Sequence, residues 1–192
     1  MRPTYKMSDF VPFPAPHQPY ELCLVGIRLD PTAAGPQMFA VIEQSEAGAR
    51  TVTVKGRILL FSTPALVTHA LELADPAFIG SRQQTSATSA PMPKEVDILC
   101  DVAQSLYLLN SGLEDSDGVL LDCIACLDDL LGAIELNVPA NFMAVLNALA
   151  ERLEQNPEFG SFLAEQGIDR ETVEDAILWC VGAIAVKSTW IG

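Results

Sequence analysis

The hydrophobic pattern of this chain changes its period at Pro93, and this change constrains the fold more than any other feature. Before Pro93, apolar residues form short runs and alternations, as in residues 51–61, which is typical of strands. After Pro93, apolar residues recur every three or four positions, as in amphipathic helices. The sequence therefore predicts an α+β fold, with a small N-terminal antiparallel sheet followed by an α-helical bundle.

The first half is predicted to contain three strands and one helix. We place the strands at residues 20–29, 37–44 and 51–61, with Gly56 marking a bulge in the third. Ser62-Thr63-Pro64 then signals the start of a helix, which runs to about Asp75 and covers one face of the sheet. Residues 20–79 are thus interpreted as a β-β-β-α unit.

The segments on either side of this unit have compositions that are typical of chain without helices or strands. Residues 1–19 contain five prolines and are predicted to be an extended arm. This arm either lies over its own domain or docks on a partner through Phe10 and Phe13. Residues 80–93 are small and polar, which is typical of a linker or a long loop.

Residues 94–192 are predicted to form the helical bundle. The helices are expected at about 94–110 and 116–136, from Pro139 to about Leu153, as a short segment closed by Gly167, and from an Asp169 cap to about Lys187. The longest apolar run covers residues 176–186, far short of the ~20 residues that span a bilayer. We therefore expect no membrane partner. This helix, with Trp190 and Ile191, instead predicts a buried segment or a seam between copies of the chain.

The acidic charge lies in this second half. The net charge of the chain is −14, and residues 94–192 hold 18 acidic but only four basic residues. The stretch between Glu95 and Glu151 has no Lys or Arg, so binding to nucleic acid is not expected. An acidic helical surface favours a basic protein partner. The candidate contact residues are Asp97, Asp101, Glu114, Asp115, Asp117, Asp122, Asp128 and Asp129, the first two sharing one face of the first bundle helix.

An alternative use of the carboxylates is to hold a divalent metal. E-x-x-E spacings on helices are similar, in general terms, to those of all-helical nucleotide pyrophosphatases. That resemblance implies a carboxylate-metal-dependent hydrolase with its site in the bundle, although several of these acids also suit the positive end of a helix dipole. The metal ligands of this alternative are Glu151, Glu154, Glu171, Glu174 and Asp175.

Other chemical motifs are weak or absent. The chain has no phosphate-binding glycine motif and no nucleophile elbow, and it has only two histidines, His17 and His69. The loop at residues 113–118 fails the spacing of a calcium loop and is interpreted as a helix cap formed by Ser116 or Asp117. No cofactor is expected.

The five cysteines are interpreted as reduced, buried thiols of a cytoplasmic protein. All lie in apolar runs, and their number is odd. Cys123 and Cys126 form a C-x-x-C in the middle of a predicted helix, which favours core packing over metal or redox chemistry.

These observations together predict a non-enzymatic interaction or regulatory module that docks partners on its acidic surface. The basic residues of the third strand, Lys55 and Arg57, could also meet that surface within the molecule or its dimer.

Overall fold

The computed structural model describes residues 20–45, 48–73, 95–134, 136 and 138–192. The predicted arm (residues 1–19) and the predicted linker (residues 80–93) lie outside this described part. Its elements, in chain order, are β1 (Tyr20–Arg28), β2 (Met38–Ser45), β3 (Gly48–Thr51), β4 (Thr53–Val54), β5 (Arg57–Phe61), α1 (Pro64–Leu73), β6 (Ile98–Asp101), α2 (Val102–Ser111), α3 (Val119–Gly132), α4 (Ala140–Leu153), α5 (Gly160–Gln166), α6 (Arg170–Val186) and β7 (Ser188–Ile191).

The strands form one mixed sheet. β1 and β2 pair antiparallel over eight residue pairs, from Tyr20 opposite Ser45 to Ile27 opposite Met38. β3 continues the antiparallel pairing along β2, and β4 and β5 form a second hairpin. β6 joins β1 and β7 joins β5, both in parallel. The predicted α+β fold is confirmed, and the sheet contains strands from both halves of the chain.

Each face of the sheet has its own apolar cluster. On one face, Leu22, Leu24 and Val41 are buried together with Val67 and Leu71 of α1. The predicted covering helix is therefore present, and it begins at Pro64 as expected. On the other face, side chains of β1, β2 and β5 pack in one continuous core with α2, α3, α4, α5 and α6. The bundle thus covers the second face of the sheet.

The first predicted bundle helix differs from the observed structure. Residues 98–101 form β6, which pairs with β1 from Val25 opposite Ile98, and helix α2 begins only at Val102. The apolar spacing of this segment fits a helix, but Cys100 is fully buried between the sheet and α3. Pairing with β1 overrides the local pattern because it satisfies the backbone groups of the buried residues Cys100 and Asp101.

The last residues also join the sheet. Helix α6 ends at Val186, close to the predicted end at Lys187. The predicted Asp169 cap is confirmed, since its side chain accepts a hydrogen bond from the Glu171 amide at 3.3 Å. Strand β7 follows at once and was not predicted. Because β6 and β7 pair with strands of residues 20–79, the division into two domains stays a prediction.

The third predicted strand is broken by a turn. Val54 and Arg57 are paired across Lys55 and Gly56, which both have positive φ angles, of 53° and 71°. Two such residues form the tight turn whose twist matches that of a hairpin. The bulge predicted at Gly56 is therefore a hairpin turn instead.

Candidate functional site

Asp101 is a buried structural carboxylate. It is only 5% exposed, and its Oδ2 accepts a hydrogen bond from Nη1 of Arg28 at 2.8 Å. Its Oδ1 accepts from the Gln104 amide at 2.9 Å and so caps the N-terminus of α2. Since both oxygens are engaged inside the chain, Asp101 is poorly placed to contact a partner.

Asp97 extends the pairing between β1 and β6. Its amide donates to the Leu24 carbonyl at 2.9 Å, and its Oδ2 accepts from the Leu24 amide at 2.7 Å. The prediction that Asp97 and Asp101 share a helix face is wrong, because the intervening residues form a strand. Both carboxylates therefore hold the edge of the sheet in place.

Asp115 organises the start of α3. It is 4% exposed, and its two carboxylate oxygens accept from the amides of Leu120 and Leu121, each at 3.0 Å. Ser116 and Asp117, the predicted caps, are exposed and make no such bond. Asp115 reaches the helix because Gly118 adopts a left-handed conformation, with φ 71°, that turns the chain back toward it. An Asp three residues before a Gly is a weak signal, and sequence reasoning missed it.

The remaining candidate carboxylates lie at the surface. Glu114 and Asp117 are exposed in the loop before α3, and Asp122 and Asp128 are exposed on α3 itself. Ala125, also exposed, lies between the last two at a spacing of three residues each way. We call Asp122, Ala125 and Asp128 the α3 ridge. Successive members of the ridge are neighbours on the helix surface, and from Asp122 to Asp128 the row turns by about 120° around the helix axis.

Asp129 lies beside the ridge and is half-buried. Burial, together with the nearby charge of Asp128, raises the pKa of its carboxyl group. The backbone at this position is fixed to the sheet, because the Asp129 carbonyl accepts a hydrogen bond from Oγ1 of Thr51 at 2.8 Å. The carboxylates at this end of α3 are thus held close together by the fold.

The carboxylates of the metal alternative are dispersed. Glu151, Glu154, Glu171 and Asp175 are exposed. The half-buried Glu174 accepts a hydrogen bond from the side-chain amide of Asn110 at 3.5 Å. Within the described ranges, no three His, Cys, Asp or Glu side chains are arranged to hold a metal ion. The structure therefore offers this alternative no assembled ligand set.

Four of the five cysteines, Cys100, Cys123, Cys126 and Cys180, belong to the core that packs around α3. All five are buried and free of disulfides, as the sequence predicts, and Sγ of Cys100 lies 3.9 Å from Sγ of Cys123. Hydrogen bonds to Cys123 and Cys126, with burial, hold the pKa of Cys100 well above its usual value. Burial, followed by the effects of Cys123 and Asp128, raises the pKa of Cys180 to about 11. These two thiols are poor sources of thiolate for nucleophilic or redox chemistry.

The histidines and basic residues do not assemble a site either. His69 is exposed on α1, whereas His17 lies outside the described residues. Arg57 donates to the carbonyls of Val186 and Ser188 and to Oγ1 of Thr189, at 3.3 Å for Val186 and 3.1 Å for Thr189. The basic strand residue therefore meets the backbone at the end of α6, not the acidic side chains of the bundle.

A second surface feature is apolar. Leu178 and Val186 of α6 are 46% and 73% exposed, and Trp190 of β7 is 54% exposed. None of the helices in the described ranges is both long enough and apolar enough to cross a membrane. These side chains lie on the outside of the fold at its C-terminal end.

Comparison with known proteins adds no family. No protein-family model, no curated protein and no solved structure matches this chain.

Proposed function

We propose that the protein is a non-enzymatic interaction module that docks a basic protein partner on the α3 ridge. The observation that carries this proposal is that the two carboxylates of the ridge, Asp122 and Asp128, are exposed and form no ion pair with any described residue. The Arg28–Asp101 and Arg152–Glu158 ion pairs lie elsewhere in the fold.

The geometry of the ridge suits a partner that presents cations at helical spacing. Asp122 and Asp128 are six residues apart, which corresponds to about 9 Å along the helix axis. Ala125 between them has a short side chain and leaves room for the stems of Lys or Arg side chains. Glu114 and Asp117 lie in the preceding loop and extend the negative potential at the N-terminal end of the ridge.

The cost of the ridge to the fold also supports a functional role. Burial is the main cause of the raised pKa of Asp129, and the charge of Asp128 raises it further, so the two carboxylates repel each other in the folded chain. A basic partner would relieve this repulsion on binding. Such charges chiefly accelerate association and select the partner, and they contribute less to final affinity.

The proposal is tested with a fluorescein-labelled helical peptide rich in lysine, whose binding is followed by fluorescence anisotropy at low and near-physiological salt. We expect Asp122→Asn/Asp128→Asn to weaken binding about tenfold, since each surface charge pair contributes up to about 1 kcal/mol. Glu154→Gln/Glu165→Gln removes the same charge from exposed positions outside α3 and is the matched control. We expect the control to change binding less than about twofold.

Equal weakening by both double variants would show that the peptide responds to net charge alone, and would overturn the proposal. Absence of binding at low salt would overturn it as well.

The hydrolase alternative has a separate test, which is Mg²⁺ or Mn²⁺ titration by calorimetry. Stoichiometric binding that Glu154→Gln abolishes would replace the interaction proposal with a metal enzyme.

Two further expectations belong to this proposal. A cytoplasmic location is supported by the five free, buried cysteines, which are typical of a reducing compartment. Self-association through the last helix is supported by the exposed apolar side chains of α6 and β7. Cell fractionation tests the first expectation, and sedimentation tests the second.

A further inference from the structure

Helix α6 carries an exposed stripe that the rest of the described chain leaves uncovered. Leu178, Gly182 and Val186 follow one another at intervals of four residues, and all three are exposed. Ala185 is exposed beside them. A Cβ added at Gly182 would meet no described atom within 4 Å. We call Leu178, Gly182, Ala185 and Val186 the α6 stripe.

The side chains along the stripe are large, absent and large again, so the stripe can pack against a second copy of itself in the opposite direction. Leu178 and Val186 are equally far from Gly182, in opposite directions along the helix. If a second copy of α6 packs antiparallel with Gly182 facing Gly182, each Leu178 lies opposite Val186 of the second copy. The glycine at the crossing point allows the two helix backbones to approach closely, because no side chain separates them.

The charges at the two ends of the stripe are also complementary in this arrangement. Glu171 and Asp175 are exposed at the N-terminal end, in line with the stripe. At the C-terminal end, the Arg57 guanidinium is bound to the Val186 carbonyl and to Oγ1 of Thr189. In the antiparallel pair, Asp175 of one copy lies about 10 Å along the helix from Gly182, just beyond the Val186 end of the other copy's α6, and so approaches the Arg57 that is bound there.

We propose that the chain forms a two-fold symmetric dimer through the α6 stripe, with Gly182 on the axis and Asp175 of each copy facing Arg57 of the other. A second copy fits this surface, because both the side-chain sizes and the end charges match when the stripe meets itself in reverse. Symmetric pairing of one patch with itself is the commonest route to a protein dimer. The interface deepens the self-association proposed above and is independent of the α3 ridge.

The expected dimer is weak. A stripe of this length, with its charged ends, spans about 30 Å at most, and a single helix pair buries less than the roughly 1,200 Å² of a standard stable interface. We therefore expect reversible association, which sedimentation velocity detects across a concentration series up to about 0.5 mM. A chain that stays monomeric across this series overturns the proposal.

Cysteine cross-linking tests the position of the axis. Gly182→Cys places two thiols opposite each other across the axis, and the native cysteines do not compete because all five are buried. We expect diamide to convert this variant to a disulfide-linked dimer at least about tenfold faster than Ala144→Cys, an exposed control on α4 with no charged residue within four positions along the chain. Equal rates for the two variants would overturn the proposal.

Leu178→Cys tests the direction of the helices. In the antiparallel pair the two introduced sulfurs would be about 12 Å apart along the axis, beyond the reach of a disulfide. In a parallel pair they would face each other. Rapid cross-linking of Leu178→Cys would therefore overturn the proposed arrangement, and slow cross-linking is the expected result.

A charge reversal tests the contact between Asp175 and Arg57. We expect Asp175→Lys to weaken the dimer about tenfold, because it places a second cation beside Arg57, and Asp175→Glu, which keeps the charge, to change it less than about twofold. Circular dichroism confirms that each variant is folded. A folded Asp175→Lys variant that dimerises as strongly as the parent chain would overturn the proposed contact. Asp122→Asn/Asp128→Asn should leave dimerisation unchanged, so loss of peptide binding and loss of the dimer are distinguishable.

Discussion

Nη1 of Arg28 donates to Oδ2 of Asp101 at 2.8 Å, and this ion pair joins the last residues of the parallel strands β1 and β6. The side chain of Asp101 is 8% exposed and the side chain of Arg28 is 25% exposed. Because the same carboxylate caps α2, a single side chain holds together the edge of the sheet and the first helix of the bundle.

We predict that Asp101→Asn lowers the free energy of unfolding by about 2–4 kcal/mol, since Arg28 loses its carboxylate partner. Asn caps a helix about as well as Asp, so this loss reports the ion pair and not the α2 cap. Urea denaturation followed by circular dichroism measures this change. Asp117→Asn, at an exposed position, is the control and should stay within about 0.5 kcal/mol of the parent chain. Similar losses in both variants would contradict the assigned role.

The buried carboxylate of Asp115 should contribute to the free energy of unfolding. Asp115→Ala removes the acceptor of two amides at the start of α3, and we expect a loss of about 1–3 kcal/mol. Asp117→Ala, two residues away and exposed, should be nearly neutral. Thermal unfolding of the two variants separates the observed cap from the one that the sequence predicted.

A substitution in the turn between β4 and β5 should stabilise the fold. Lys55 is exposed and has a φ of 53°, a left-handed conformation that is costly for a side chain other than Gly or Asn. We expect Lys55→Asn to raise the free energy of unfolding by about 0.5–1 kcal/mol. Lys55→Val should lower it, because a branched side chain is poorly tolerated there. Chemical denaturation of both variants checks the sign.

Asp129 gives a pH dependence. Its pKa is higher in the folded chain than in the unfolded chain, so its ionised form is disfavoured by folding. Above the folded pKa this charge destabilises the protein, and the penalty disappears as the pH falls through the folded pKa toward the unfolded value. Asp129→Asn should therefore stabilise the chain at neutral pH, by less than about 1 kcal/mol after solvent screening.

The benefit of Asp129→Asn should vanish at acidic pH, where the parent carboxyl is already neutral. Denaturation at several pH values measures this trend. A benefit that is constant with pH would show that the unfavourable ionisation of the half-buried Asp129 is not the cause.

The amino-acid sequence predicts most helices and the first two strands, because the apolar pattern of these longer elements repeats often enough to establish a period. It mispredicts β6, because four residues are too few to establish one and Leu99 and Cys100 also fit the spacing of α2. Strand β7 is equally short and follows α6 with only Lys187 between them. Short parallel strands are specified by their partners across the sheet, which local pattern does not record.

The candidate carboxylates divide in the same way. The sequence correctly places Asp122 and Asp128 on a helix, and their exposure follows from the apolar stripe on the opposite side of α3. It gives no indication that Asp101 and Asp115 are buried, because the local sequence around a buried capping Asp does not differ recognisably from that around an exposed Asp. The difference lies in contacts with Arg28 and with the amides at the start of α3.

The parallel pairing of β6 and β7 has a consequence for how the chain folds. The bond from Arg57 to the Ser188 carbonyl joins residues 131 positions apart, and the bond from Leu24 to Asp97 joins residues 73 apart. Closing such long loops is slow, so folding should take milliseconds to seconds rather than microseconds. During synthesis, the edge of β5 that pairs with β7 stays unpaired until the last residues of the chain have been made. An unpaired strand edge can pair with another chain, so the nascent protein is most prone to aggregation in this interval.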